Sequence, residues 1–134
     1  MGTRNRKPGS GADRRGGPAA VLAAYDLAKA LHEAVLRFPR VERPGLGADI
    51  ERACRTVLGG LVESQMAQEK AASLRAAAVE LEKLRFLVRM ACDFRHVSVG
   101  QFEVLSGRID ELGRMIGGWL RWAGQPTGPC HDVS

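Results

Sequence analysis

The side chains with the most chemistry to offer are cationic. Arg85 and Arg89 stand one helical turn apart, Arg75 and Lys83 precede them, Arg95 and His96 follow, and Arg108, Arg114 and Arg121 recur further along. Guanidinium and ammonium groups repeated in this way suit phosphate oxygens, and each phosphate met releases counterions and adds to affinity. Glu82, Asp93, Asp110 and Glu111 are interleaved with them, at spacings that also allow ordinary ion pairs on a helix surface. A phosphate-binding strip and a neutralised surface therefore both stand as readings of these residues.

No other grouping suggests a reaction. His32, His96 and His131 are far apart, and His32 falls beside an apolar line, where a hydrogen-bonded histidine at the core edge is the simplest reading. Glu80, Glu82, Asp110 and Glu111 read as solvated helix-surface charge. No glycine-rich phosphate loop follows a strand, and no Glu-x-x-His pair suits a di-iron bundle. Cys54, Cys92 and Cys130 lack the paired spacing of a zinc site or an oxidised framework, so reduced thiols are expected, with Cys54 and Cys92 at the core edge. These residues predict no catalytic site, no cofactor and no metal.

Four amphipathic segments must position the cations. Pro18 is placed to open a first helix that Pro39 ends, with Val21, Tyr25, Ala28, Leu31 and Val35 as its expected inner line. Residues 38–49 carry Pro39, Pro44, Gly45 and Gly47, which predict a reversal. A second helix then offers Ile50, Ala53, Cys54, Val57 and Leu61, with Asp49 near its positive end and Gly59 and Gly60 as costly interior glycines. Residues 63–73 contain no strong breaker, yet a bundle requires a turn there. The third helix presents Leu74, Ala77, Leu81, Leu84, Val88 and Ala91 on one face and ends near 93–96. Ser98 and Gln101 form a capping-box pattern for a fourth helix, whose inner line is Phe102, Leu105, Ile109, Leu112, Ile116, Trp119 and Leu120. Gly124 and Pro126 mark its end. Short connections between such helices predict an all-α, antiparallel up-down-up-down four-helix bundle over residues 19–123.

The last two helices carry a second apolar line each. Phe86 and Met90 fall opposite the inner face of the third, and Val104, Met115 and Trp122 fall off the core stripe of the fourth. A helix apolar on two sides in a chain of 134 residues is expected to bury the outer side against another subunit. The alternative for Met115 and Trp122 is packing at a bundle edge.

Composition agrees with a helical domain: 45% of residues are hydrophobic and only 5% aromatic. The formal net charge is +5. Much of it lies in residues 1–18, where Arg4, Arg6, Lys7, Arg14 and Arg15 face Asp13 alone. That stretch is expected to be a disordered basic tail able to touch phosphates without specificity, and residues 124–134 a flexible tail. The absence of a long apolar run or a signal-peptide pattern predicts a soluble, cytoplasmic protein without membrane contact.

Residues 25–64, YDLAKALHEAVLRFPRVERPGLGADIERACRTVLGGLVES, and 81–122, LEKLRFLVRMACDFRHVSVGQFEVLSGRIDELGRMIGGWLRW, together resemble Avd, the accessory variability determinant of bacterial diversity-generating retroelements. Phe38-Pro39-Arg40 with Glu42-Arg43 and Leu46-Gly47 is shared with a wider four-helix-bundle family that includes the intervening-sequence proteins of ribosomal RNA genes. Leu81 to Arg85 and Ile109 to Trp119 favour Avd. The resemblance implies a homopentameric barrel with a basic surface, no catalytic site, and two partners: the retroelement reverse transcriptase and a structured template RNA used for mutagenic cDNA synthesis. The body of this chain is nearly balanced in charge, a departure from the strongly basic family pattern. A self-assembling bundle of the intervening-sequence type, without a polymerase partner, is the alternative, and a small enzyme a third.

Overall fold

The computed structural model describes residues 16–124. The Arg-rich stretch of residues 1–15, Cys130 and most of the carboxy-terminal tail lie outside them. Within them are α1 (Gly17–Leu36), α2 (Ala48–Met66), α3 (Ala71–Asp93) and α4 (Val99–Ala123), with no strand among the described residues. Cross-helix neighbours give the directions. His32 meets Glu51 while Gly17 faces Gln65, Gly60 faces Ala77 while Ser64 meets Ser73, and Arg85 meets Asp110 while Leu81 packs by Gly113. Each successive pair is therefore antiparallel, and Gly16 beside Trp119 brings α4 back to α1.

The stripes expected on α2 and α3 are buried in full: Ile50, Ala53, Cys54, Val57 and Leu61 from one, Leu74, Ala77, Leu81, Leu84, Val88 and Ala91 from the other. On α4 the buried line is Leu105, Ile109, Leu112, Ile116 and Trp119, with Phe102 and Leu120 half-buried at its edge. On α1 the expected line holds at Leu31 and Val35, which are buried, while Val21 and Ala28 are half-buried at its edge and Tyr25 falls outside it. Ala20, Ala24, Leu27, Leu31, Ala34 and Val35 face the core, whereas Tyr25 is 51% exposed and its ring lies under the Lys29 ammonium, 5.0 Å from the centroid. Alanines let α1 approach its neighbours closely, which leaves no room on that line for a ring.

Two connections differ in how they are closed. Pro39 ends α1, and the chain continues through a 3-10 turn (Arg40–Glu42) and one π-helical turn (Arg43–Gly47) directly into α2. The reversal predicted at Pro44 and Gly45 is thus helical in form. Gly47 is required there by space, because a Cβ would lie 2.7 Å from Val35 Cγ1. Between α2 and α3 the chain turns without glycine or proline. Ala67 is extended, and the Lys70 ammonium donates to the carbonyls of Ser64 (2.8 Å) and Ala67 (2.7 Å), which the end of α2 leaves unpaired. Ser64, buried, donates to Gly60 O and sits 2.6 Å from Ser73 Oγ, so the same corner is pinned from inside. The α4 start forms the expected capping box, with Ser98 Oγ accepting from Gln101 N at 3.1 Å.

Two substitutions separate these causes. Gly59 is open on all sides, so Gly59→Ala should stabilise the bundle by about 1 kcal/mol, whereas Gly47→Ala should cost about 1–2 kcal/mol through the clash with Val35; urea unfolding of both variants measures the difference in sign. Lys70→Met keeps the aliphatic stem and removes the donors, and the same assay should show a loss of about 1–2 kcal/mol.

Candidate nucleic-acid interface

The helix surfaces divide the eight expected cations into two groups. Arg85 bridges α3 and α4, donating to Asp110 across the seam and to Glu82 on its own helix. The Asp110 hydrogen bond holds its guanidinium charged even more firmly than usual, against slight burial and with Glu82 adding to the effect. Arg89 lies 4.0 Å from Asp93, Lys83 is bonded to Glu80 at 3.1 Å, and Arg114 to Glu111 at 2.7 Å. These four are spent on carboxylates, all within one or two helices. Arg75, Arg95, Arg108 and Arg121 are exposed and make no ion pair among the described residues. A guanidinium without a carboxylate can meet a phosphate with nothing to displace, so the second group carries the available positive charge.

Nor do the eight form one strip. The Arg85–Asp110 bridge sets the register of α3 against α4 and brings Arg75 level with the last turn of α4, where Arg121 lies over Gly117 and Gly118. Arg95 is at the opposite end of the pair. Arg108 stands on the flank of α4 turned toward α1, and Lys83 lines a groove between α2 and α3 with Asp49, Arg52, Thr56 and Phe86. Lys83, Arg89 and Arg114 pair within their own helices at spacings that the sequence shows, and only the Arg85–Asp110 pair crosses a seam that it does not.

The outer apolar residues are placed as follows. Phe86 is 65% exposed on the rim of the α2–α3 groove, and Met90, Val104 and Trp122 are also exposed. Met115 is half-buried and packs on the core, beside the point where α1 begins at Gly16. Val79 and Phe94 on and beyond α3, and Leu22 and Tyr25 on α1, are exposed apolar residues that periodicity did not single out. His32, expected at the core edge, has a ring 55% exposed and bonds Glu51 through Nδ1 at 2.9 Å.

The family model described as bAvd-like matches residues 21–123, from the first turns of α1 to the end of α4. The chain belongs to the bAvd-like family. Comparison with curated proteins finds no match. The Avd resemblance carried by residues 25–64 and 81–122 is thereby borne out over the whole bundle. In this bAvd-like chain no group of His, Cys, Asp and Glu gathers as a metal-ligand set among the described residues, and none of their helices is long and apolar enough to cross a membrane.

The Cys54 thiol is unsuited to nucleophilic work: burial pushes it up to about 12, with Arg55 pulling the other way and Glu51 adding to the rise. Because the folded protein keeps this proton above the ordinary value of 9.0, the stability tied to it is complete below about pH 9 and is lost as pH rises toward 12. The stability difference between the native protein and Cys54→Ala should therefore shrink above pH 9, and iodoacetamide at pH 8 should label Cys54 only after denaturation.

Proposed function

We propose that this bAvd-like protein is a non-catalytic accessory subunit of a diversity-generating retroelement, acting in the cytoplasm. It binds the retroelement reverse transcriptase and its template RNA and supports mutagenic cDNA synthesis as a homopentamer. Membership of the bAvd-like family over residues 21–123 is the observation that carries this reading. The unpaired Arg75, Arg108 and Arg121 support it by leaving charge free for phosphate, and the exposed Phe86, Met90, Val104 and Trp122 support assembly by leaving apolar area to cover.

Light scattering behind size-exclusion chromatography should return the mass of a pentamer. Phe86→Glu combined with Met90→Glu should return folded monomers; a monomer for the native protein would remove the assembly. For the partners, the protein should co-purify with the reverse transcriptase and retain the template RNA. Arg75→Gln with Arg121→Gln should weaken RNA binding and lower its salt slope by about two. The charge-paired Arg85 and Arg89 should contribute less to either. Unchanged RNA and polymerase binding in the first pair of variants would take those residues out of the interface.

A further inference from the structure

One end of the bundle holds cations that the α3–α4 surface does not include. Phe38, just past α1, stacks at a tilt on His96 with ring centroids 5.3 Å apart, and Phe94 meets the same ring edge-on at 6.0 Å. Glu42 reaches to 3.9 Å from His96 Nε2. These contacts tie the α1–α2 connection to the α3–α4 connection, so Arg37, Arg40 and Arg43 of the first arrive beside Arg95 of the second. Arg43 is committed to the backbone, donating to the carbonyls of Phe38 and Leu36 and closing the end of α1. Arg37, Arg40 and Arg95 are exposed and make no ion pair among the described residues. Of the carboxylates nearest in sequence, Glu42 is turned to His96 and Asp93 faces Arg89, while Glu33 stands one helical turn before Arg37. Phe94, next to Arg95 in the chain and edge-on to His96, is 54% exposed.

Arg95 is held in a conformation that stability alone would give to glycine. It is the only non-glycine residue at positive φ among the described residues, with φ 67°. The reason is the way α3 stops. His96 N donates to Ala91 O and Arg95 N to Cys92 O, the paired bonds of a Schellman cap, whose left-handed position is normally glycine. An arginine there strains the backbone and puts a guanidinium at the tip of the turn, next to an exposed aromatic ring.

Unpaired guanidinium groups around an exposed ring match the chemistry of a single strand: phosphates for the cations and an unstacked base for the ring. A duplex presents no free base face, and an acidic protein surface would engage the arginines but leave Phe94 without a role. We propose that this end of the bundle binds single-stranded nucleic acid, with Phe94 stacking on an unpaired base and Arg37, Arg40 and Arg95 holding the flanking phosphates. This rests on the nucleic-acid-binding reading above and gives it a site apart from Arg75 and Arg121.

The test uses the full chain, an end-labelled oligouridylate, and an RNA duplex of the same length, compared by fluorescence anisotropy across a salt series. Phe94→Leu should weaken oligouridylate binding roughly tenfold with the salt slope unchanged, and leave duplex binding alone. Arg95→Gly should weaken binding and lower the salt slope by about one. The same substitution should raise the melting temperature, because glycine relieves the cap; weaker binding by a more stable protein excludes misfolding as the cause. Oligouridylate affinity unchanged in both variants overturns the site, as does equal damage by Phe94→Leu to duplex and single strand. If only Arg75→Gln and Arg121→Gln weaken binding, the accessory reading stands and this site falls. If the native protein holds neither RNA, the nucleic-acid reading falls with it. Variants that keep RNA but lose the reverse transcriptase on co-purification would make this end a protein contact and overturn the proposal.

Discussion

Each helix of this protein depends on burying one narrow stripe against its neighbours, because helices of 19 to 25 residues are only marginally stable alone in water. That constraint is met almost entirely by aliphatic side chains, and among the described residues Ser64 is the one polar residue fully buried with them. Its hydroxyl is satisfied by Gly60 O and Ser73 Oγ, so the core carries no polar cost at that point. With the inner stripes occupied in this way, everything that distinguishes the protein chemically is left to the flanks, the outer faces and the ends.

On the flanks, electrostatics works against a simple count of basic residues. Lys83, Arg85, Arg89 and Arg114 have carboxylates within reach, and pairs this exposed add little to stability. They matter more for what they withhold, since a phosphate must compete with a carboxylate already in place. Arg85 shows this most clearly, because its two acidic partners come from different helices and fix the register of α3 and α4. A residue read as a binding group is thus also a structural clasp. The charge left over is dispersed, at the α3–α4 end near Arg75 and Arg121 and at the opposite end near Arg37, Arg40 and Arg95.

The stripes of α2 and α3 were legible because leucines and valines at helical spacing stand out against charged neighbours. α1 was not, since alanines occupy both its inner face and its flanks. Tyr25, the bulkiest apolar side chain there, points outward and drew the expected line toward the flank of the helix. The α2–α3 turn was hidden for a different reason: the stop signal is the Lys70 side chain folding back on carbonyls three to six residues earlier, an interaction that propensity does not encode. Of the site, sequence supplied the cations and the carboxylates Glu82, Asp93, Asp110 and Glu111 that pair with them, but not that Arg85 meets Asp110 across the helix seam, since the two are 25 residues apart. It also passed over Arg37 and Arg40 as cations, although Phe38-Pro39-Arg40 was part of the wider-family resemblance, because the ring contact of Phe38 with His96 is what ties their connection to that of Arg95.

The exposed apolar residues bear on what kind of assembly the proposed function requires. A two-fold dimer uses one self-complementary patch, whereas a closed ring needs two different patches on each subunit, one meeting the other on the next copy. This chain has two. Val79, Phe86 and Met90 follow one another along the outer face of α3, and Leu22 and Tyr25 on α1 lie at the same end of the α1–α2 pair as Val62 and Met66. Covering the first patch in a dimer would leave the second in water, a loss of apolar burial on both subunits. Head-to-tail contact covers both at once, and every added subunit repeats the unpaired arginines around a common axis. A body nearly balanced in charge can in that way present a phosphate-binding surface that a single copy lacks.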